Sequence, residues 1–386
     1  MKIGFVLDDS LDKPDGVQQY VLTLGAWLRA EGHRIHYLVG ETHRKDLENV
    51  HSLSKNIKLS FNKNNVSIPM PVKKQAFSDL LNREKFDILH VQMPYSPMLA
   101  AKIINAAPPR TGIVGTFHIV PFSWRESLAT KSLKLLIKKS LKRFDKVISV
   151  SLPALKFAKK SFKLNSVVIP NVVNAASLMR GKRMYKYGGG KLNIVFLGRL
   201  VERKGCMNLL QAVEELHRKK RLGNVRVIIC GKGPLEKDLK KYAHNHHLGT
   251  IVHFAGFINE LDKANYLASA DIAVFPSLGG ESFGIVLIEA MAAEAGVVLA
   301  GNNIGYRSVM FTKPDQLIKP TNTSEFAKSL QHFISNSAAR QRAKRWQQTQ
   351  IPLYDVKIVG RQIEKLYEQI IAKKRRAKDN KVYESK

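Results

Sequence analysis

A chain of 386 residues with a formal net charge of +32 is long for a single core and too basic to work without an anionic partner. Its hydrophobic fraction of 44% is ordinary for a globular protein, and no apolar run is long enough to span a bilayer, so a soluble or peripheral protein is expected. The two cysteines, Cys206 and Cys230, lie in apolar or helical surroundings, which points to reduced structural thiols and a cytoplasmic location rather than a disulfide framework.

Strand-like and helical runs alternate almost throughout, as they do in parallel sheets built from βαβ units. The first strand, Ile3–Leu7, begins at once and leaves no room for a signal peptide. It is followed by a helix over Val17–Glu31 and strands over Arg34–Val39, Ile88–Val91, Gly112–Phe117, Lys146–Val150 and Ser166–Ile169. A further amphipathic helix is expected over Lys131–Phe144. The pattern breaks at the glycine-rich Tyr185-Lys-Tyr-Gly-Gly-Gly190 and then restarts. The second series has strands over Leu192–Leu197, Val225–Cys230, Ile251–Phe254, Ile272–Phe275 and Val297–Ala300. Its helices run from Cys206 to about Lys220, over Leu235–His246 and Leu261–Ser269, and from the residues after Pro276. Helical text resumes at Thr323, and Pro352 divides it. The expected division is 1–184, 185–352 and a C-terminal segment 353–386 that crosses back to the first domain. Two doubly wound α/β domains would then face a central cleft, with ligands at the carboxyl ends of the strands.

Three places in that frame carry chemistry. In Pro276-Ser-Leu-Gly-Gly-Glu-Ser-Phe-Gly-Ile-Val-Leu-Ile-Glu-Ala-Met291, two placed carboxylates, Glu281 and Glu289, flank a strand–turn–helix junction. Ser282 can cap the helix, and the amides around it suit a hydroxyl-rich or anionic ligand. The loop Gly198-Arg-Leu-Val-Glu-Arg-Lys-Gly205 puts Arg199, Arg203 and Lys204 after the first strand of the second domain, where a diphosphate would dock. A solvated basic loop is the plain alternative. In the first domain, Gly16 opens the first helix, and His118 ends a parallel strand, where an imidazole can serve as acid, base or donor. His90 reads as a hydrogen-bonded packing residue. No D-x-D, H-E-x-x-H, paired C-x-x-C, P-loop, G-x-G-x-x-G or G-x-S-x-G pattern is present, so no dedicated metal site is expected.

From Lys131 to Lys163 the chain holds eleven Lys and Arg against one acid, Asp145. Lys131, Lys134, Lys138, Lys139 and Lys142 surround an apolar helical face, an arrangement that suits docking on anionic lipid. The alternative is a domain helix burying that face in its own core. Nucleic acid is a poorer candidate, because no RNA-binding aromatic motif, zinc finger or helix-turn-helix is visible.

Gly198-Arg199, Arg203-Lys204-Gly205, the Glu281-Ser-Phe-Gly284…Glu289 element and the glycine-led first helix together resemble the GT-B retaining glycosyltransferases of family GT4. Further stretches look similar to phosphatidyl-myo-inositol mannosyltransferases: Gly16-Val-Gln18, Ile88-Leu-His-Val-Gln-Met-Pro94, Val114-Gly-Thr-Phe-His118, Ile169-Pro-Asn171 and Leu278–Leu287. The resemblance implies a GT-B fold and transfer of a hexose, mannose from GDP-mannose, to a membrane lipid such as phosphatidyl-myo-inositol. It gives Arg199 and Lys204 the donor diphosphate, with Arg203 beside them. Glu289 would take the ribose, and Glu281 with the amides of Ser282, Phe283 and Gly284 the sugar hydroxyls. Gly16 would approach the diphosphate, His118 the transferred sugar, and Gln18 and Asp9 the acceptor. It implies no tightly bound cofactor, with a divalent cation at most as a stimulant, and a place on the inner face of the plasma membrane. Three positions depart from the pattern: Asp15 where a second glycine often stands, Gln92-Met93 in place of a histidine–acid pair, and Glu294-Ala295-Gly296 after the helix. A UDP-sugar with another acceptor, a sugar-nucleotide epimerase and a non-catalytic basic binding protein remain as alternatives.

Overall fold

Strands covered by helices on both faces must be largely apolar, and here they are. Phe5, Val6 and Leu7, Ile88 and Leu89, and Val297, Val298 and Leu299 are all fully buried. The structure is a computed structural model describing residues 1–12, 15–61, 64–69, 74–93, 96–119 and 137–384. It divides into two units, one made of Met1–Val172 and Val356–Lys386, the other of Val173–Asp355.

The first unit opens with β1 (Lys2–Leu7), α1 (Gly16–Ala30), β2 (Arg34–Val39) and β3 (Val50–Ser52). A separate antiparallel hairpin, β4 (Asn56–Phe61) and β5 (Asn64–Pro69), comes next. Then follow α2 (Lys74–Glu84), β6 (Ile88–Gln92), α3 (Leu99–Ala106), β7 (Gly112–Phe117), α4 (Lys138–Leu141), β8 (Lys146–Ser149), α5 (Leu152–Phe157) and β9 (Val167–Val168). The sheet order is β3-β2-β1-β6-β7-β8-β9, with all pairs parallel. Register is set by stacking apolar residues in rows: Ile3 stands opposite both Ile35 and Ile88.

In the second unit the elements are α6 (Ala175–Leu178), β10 (Leu192–Leu197), α7 (Cys206–Arg218), β11 (Val225–Cys230), α8 (Glu236–Asn245), β12 (Val252–Gly256) and α9 (Glu260–Ala268). They continue with β13 (Ile272–Phe275), α10 (Ile285–Ala292), β14 (Val297–Gly301), β15 (Leu317–Ile318), α11 (Thr323–Ser335) and α12 (Ser337–Gln350). The order β12-β11-β10-β13-β14-β15 is again wholly parallel. Both sheets therefore reverse direction of growth beside their first strand, between β1 and β6 and between β10 and β13. Those reversals are where open α/β sheets leave a crevice for ligands.

Pro352 sits in a short 3-10 turn, Ile351–Leu353, after which the last helix, α13 (Val356–Glu384), begins. It packs on α1 of the first unit, burying Val359, Ile363 and Tyr367 in one cluster with Leu24, Trp27 and Leu28. Each such aliphatic side chain contributes roughly 1.5–3 kcal/mol. α1 ends at a glycine in the left-handed region, Gly32 with φ 85°, where His33 N donates to the Leu28 carbonyl.

The boundaries differ from the sequence reading in two ways. Residues 173–184 pack with the second unit, and the division falls at Val172/Val173 and Asp355/Val356. The expected helix over Lys131–Phe144 is described only from Ile137 onward, where the helical part is Lys138–Leu141. Lys131 and Lys134 lie outside the described residues.

Candidate active site

The second unit's reversal point is built from two loops pressed together. After β10 the chain makes a 3-10 turn over Glu202–Lys204 and passes through Gly205 at φ 70°. A Cβ there would lie 2.0 Å from the Pro276 carbonyl oxygen, so only glycine allows the loop to rest on the end of β13. Leu278 N then donates to the Arg203 carbonyl at 2.8 Å, joining the two loops through the backbone.

This contact delivers Glu281 to the basic loop. Its Oε1 accepts from Arg203 Nη1, Lys204 Nζ and Ser277 Oγ, each at 2.8 Å. Burial alone would raise the carboxyl, but Lys204 and Arg203 outweigh it and hold Glu281 below the usual glutamate range. The neighbouring Tyr306 is buried, and burial together with the Glu281 charge pushes its phenol well above the ordinary value. Arg199 is exposed, and among the described residues its guanidinium makes no ion pair.

α10 begins at Gly284, which adopts φ 117° and packs against the Tyr306 ring. The N-cap position falls at Gly284 rather than at Ser282, the expected cap, and Gly284 has no side chain to cap the helix. Phe283 points inward and meets the Tyr354 ring edge-on at 5.6 Å, so only its backbone can serve a ligand. Glu289 lies inside α10, buried, with Oε1 2.6 Å from Lys263 Nζ of α9. Lys263 also reaches Glu260 Oε2 at 2.6 Å. Burial would lower the Lys263 ammonium, but the two carboxylates more than reverse this and raise it.

At the first unit's reversal point, α1 starts at Gly16 after the extended N-cap Asp15, which forms no side-chain cap. Gln18 is buried, its amide donating to the Ser10 carbonyl at 3.0 Å, and so it fastens the loop after β1. Asp9 accepts from Ser10 N at 2.7 Å. His118 follows β7, buried, with Nε2 2.8 Å from Gln92 Oε1 at the end of β6. His90 bridges Thr116 Oγ1 and the Tyr367 hydroxyl, at 2.6 Å each. Burial lowers both imidazoles to about 3, with His118 adding to the effect on His90, so both rings are neutral at neutral pH.

Of the five lysines expected at a membrane, Lys138, Lys139 and Lys142 are exposed. The apolar face between them is covered from within, with Ile137 buried and Leu141 and Phe144 packed against the Phe117 cluster. Among the described residues no three His, Cys, Asp or Glu side chains gather as a metal site, and no helix is long and apolar enough to cross a membrane. Cys206 and Cys230 are free and buried, and burial drives the Cys230 thiol up to about 12.

Two family models divide the chain between them: Glycosyltransferase Family 4 over residues 14–177 and Glycosyl transferases group 1 over residues 185–350. A phosphatidyl-myo-inositol mannosyltransferase of Mycolicibacterium smegmatis is 31% identical over 378 residues, covering 96% of this chain and 94% of the relative. The chain is a family 4 glycosyltransferase. A protein of the same name from Mycobacterium leprae is 30% identical over 96% of the chain and 97% of its own length. The fold is GT-B. A glycosyltransferase of Rickettsia africae superposes with a TM-score of 0.74 at 17% identity, covering 96% of this chain and 99% of its own. Anabaena HepE, solved with UDP and glucose, gives 0.72 at 19% identity, covering 96% and 100%.

In this glycosyltransferase the structure joins Arg203, Lys204 and Glu281 in one cluster and sets Glu289 in a second with Lys263. Sequence reasoning missed Lys263. Its only signal is the Glu260-x-x-Lys263 spacing, which equally describes an ordinary exposed helical pair. It also missed Gln92 as a partner of His118, because β6 and β7 are 26 residues apart at that point and become adjacent only in the sheet.

Proposed function

We propose that this family 4 glycosyltransferase moves mannose from GDP-mannose to phosphatidyl-myo-inositol at an anionic membrane surface, with retention at the anomeric carbon. The observation that carries the proposal is near full-length similarity to relatives of that name, at 31% identity in one case. Arg199, Arg203 and Lys204 supply positive charge beside the departing diphosphate and stabilise it as the sugar bond breaks. The cluster bonds to Glu281 end on Oε1, which leaves Oε2 for a hydroxyl of the donor sugar. The amides of Ser282, Phe283 and Gly284 add donors nearby, and Glu289, held by Lys263, takes the ribose hydroxyls. In the first unit, Gly16 admits the diphosphate to the start of α1, and His118 lies beside the transferred sugar. Asp9 and Gln18 shape the acceptor side, Gln18 through the loop that it fastens. Exposed Lys138, Lys139 and Lys142, with Lys131 and Lys134, attract the enzyme to acidic lipid on the cytoplasmic face.

A UDP-sugar and another acceptor form the second reading. The other acceptor is favoured by a 2-deoxystreptamine N-acetyl-D-glucosaminyltransferase of Niallia circulans, 30% identical over 39% of the chain. Radiolabelled GDP-mannose and UDP-sugars, each incubated with the protein and a phospholipid extract, separate the two. Label entering a phosphoinositide from GDP-mannose is expected. Lipid that stays unlabelled with every donor would reject the lipid acceptor, and label from UDP-sugars alone would reject the donor.

A further inference from the structure

His118 is hydrogen-bonded to a residue with no part in the site as read from the sequence. Gln92, fully buried, ends β6 and stands across the β6–β7 pair from Thr116. The amide of Gln92 faces two groups. Nε2 donates to the His90 carbonyl at 3.4 Å, and Oε1 lies 2.8 Å from His118 Nε2. A carbonyl oxygen can only accept, so the amino end of the amide belongs to His90 and the oxygen to His118. The oxygen can only accept in turn, so the proton of the His118 ring is on Nε2. The chain turns sharply directly after this residue: Met93 takes φ 54°, a left-handed conformation that strains a non-glycine residue. Met93 N donates to the Thr116 carbonyl at 3.2 Å, holding the end of β6 against β7.

We propose that Gln92 is the positioning residue for His118, fixing the ring plane and committing its proton to Nε2 so that a neutral imidazole stands beside the transferred sugar. The assignment rests on the function proposed above for its chemical meaning, though not for its geometry. Sugar transfer with loss of a diphosphate builds positive charge on the anomeric carbon. A neutral ring next to that charge is tolerated, whereas an imidazolium would oppose it. A carboxylate in place of the amide would invite the imidazolium, and this chain has a glutamine. The titratable groups facing His118 among the described residues are Tyr20 of α1, its ring edge-on at 5.0 Å, and His90 of β6. Neither is charged at neutral pH, since burial raises the Tyr20 phenol and lowers His90.

The test uses the full chain labelled with 15N-histidine, with His118→Gln identifying the resonance among the twelve histidines. In the unsubstituted protein, His118 should report the Nε2–H tautomer without change as pH falls from neutrality to about 5. Gln92→Glu should raise its midpoint by roughly one to three pH units, so that imidazolium signal appears at about pH 5. Its kcat should then fall on the acid side while KM for the donor holds. Gln92→Met, of similar size, should leave a tautomer mixture and lower kcat roughly ten- to a hundredfold. A His118 tautomer unchanged in the Met variant, or no new titration in the Glu variant, would overturn the assignment, provided thermal unfolding shows each variant folded. If both fail to fold, Gln92→Asn, which keeps the amide one methylene short, takes their place, and an unchanged tautomer there overturns it equally. Spectra as expected with no transfer from any donor would sink the function and leave the positioning role standing.

Discussion

Glu281 is partly buried and Glu289 buried, each against a cation, yet their substitution should fail in different ways. Glu281→Gln keeps the shape and leaves Arg203 and Lys204 facing each other without their shared counter-ion. Activity should fall roughly a hundredfold, read as kcat/KM with the labelled donor. Because the folded carboxyl is held below its ordinary value of 4.5, its contribution is fully present above that value. It is lost as pH drops through the depressed value, so an acid limb from this group begins only below 4.5. Lys263→Met instead strands the buried Glu289 charge and should cost about 3 kcal/mol in denaturant unfolding. Adding Glu289→Leu should return part of that loss, since the pair acts as a unit. The residues of the first cluster stand out in the sequence because acid and basic loop each follow a strand end, although their pairing with one another does not. The second cluster was not legible, because Glu260-x-x-Lys263 spacing does not say which face of α9 turns inward.

Elements with a full period of apolar residues could be read directly. β10 lies at Leu192–Leu197 and β11 at Val225–Cys230, as their apolar runs, each interrupted by one polar residue, suggest. β3 and β15, three and two residues long, are too short to show any alternation and exist because a neighbouring strand supplies their partners. The helix expected over Lys131–Phe144 shows the limit of periodicity, because the same stripe of leucines and lysines fits a membrane face and a domain core. In its described part the core has it. α13 gives the prediction at this scale. Tyr367→Phe removes the hydroxyl bonded to His90 Nδ1 and should cost about 1–2 kcal/mol of unfolding free energy. Gly360 lies flat on the Trp27 ring, where a Cβ would come within 2.4 Å. Gly360→Leu should push α13 off α1 and lower the melting temperature more than Tyr367→Phe does.

Over the whole molecule, charge is the dominant physical fact. With 63 basic and 31 acidic side chains, binding to vesicles of anionic phospholipid should weaken steeply as sodium chloride is raised. Vesicles of neutral lipid should show no such dependence, and cosedimentation measures both. Charge reversal at Lys138, Lys139 and Lys142 should reduce the anionic binding while leaving unfolding unchanged, because these side chains are exposed. The chain path sets the order of assembly. Residues 173–355 form one unbroken stretch and can complete their sheet as they leave the ribosome. The first unit cannot, since its last helix is made only after the second unit. Trp27, Leu24 and Leu28 must wait through the synthesis of more than 300 further residues for Val359, Ile363 and Tyr367. A nascent chain stalled before Val356 would therefore present an apolar stripe to chaperones, and a stop codon there should destroy the N-terminal half of the enzyme rather than the C-terminal half.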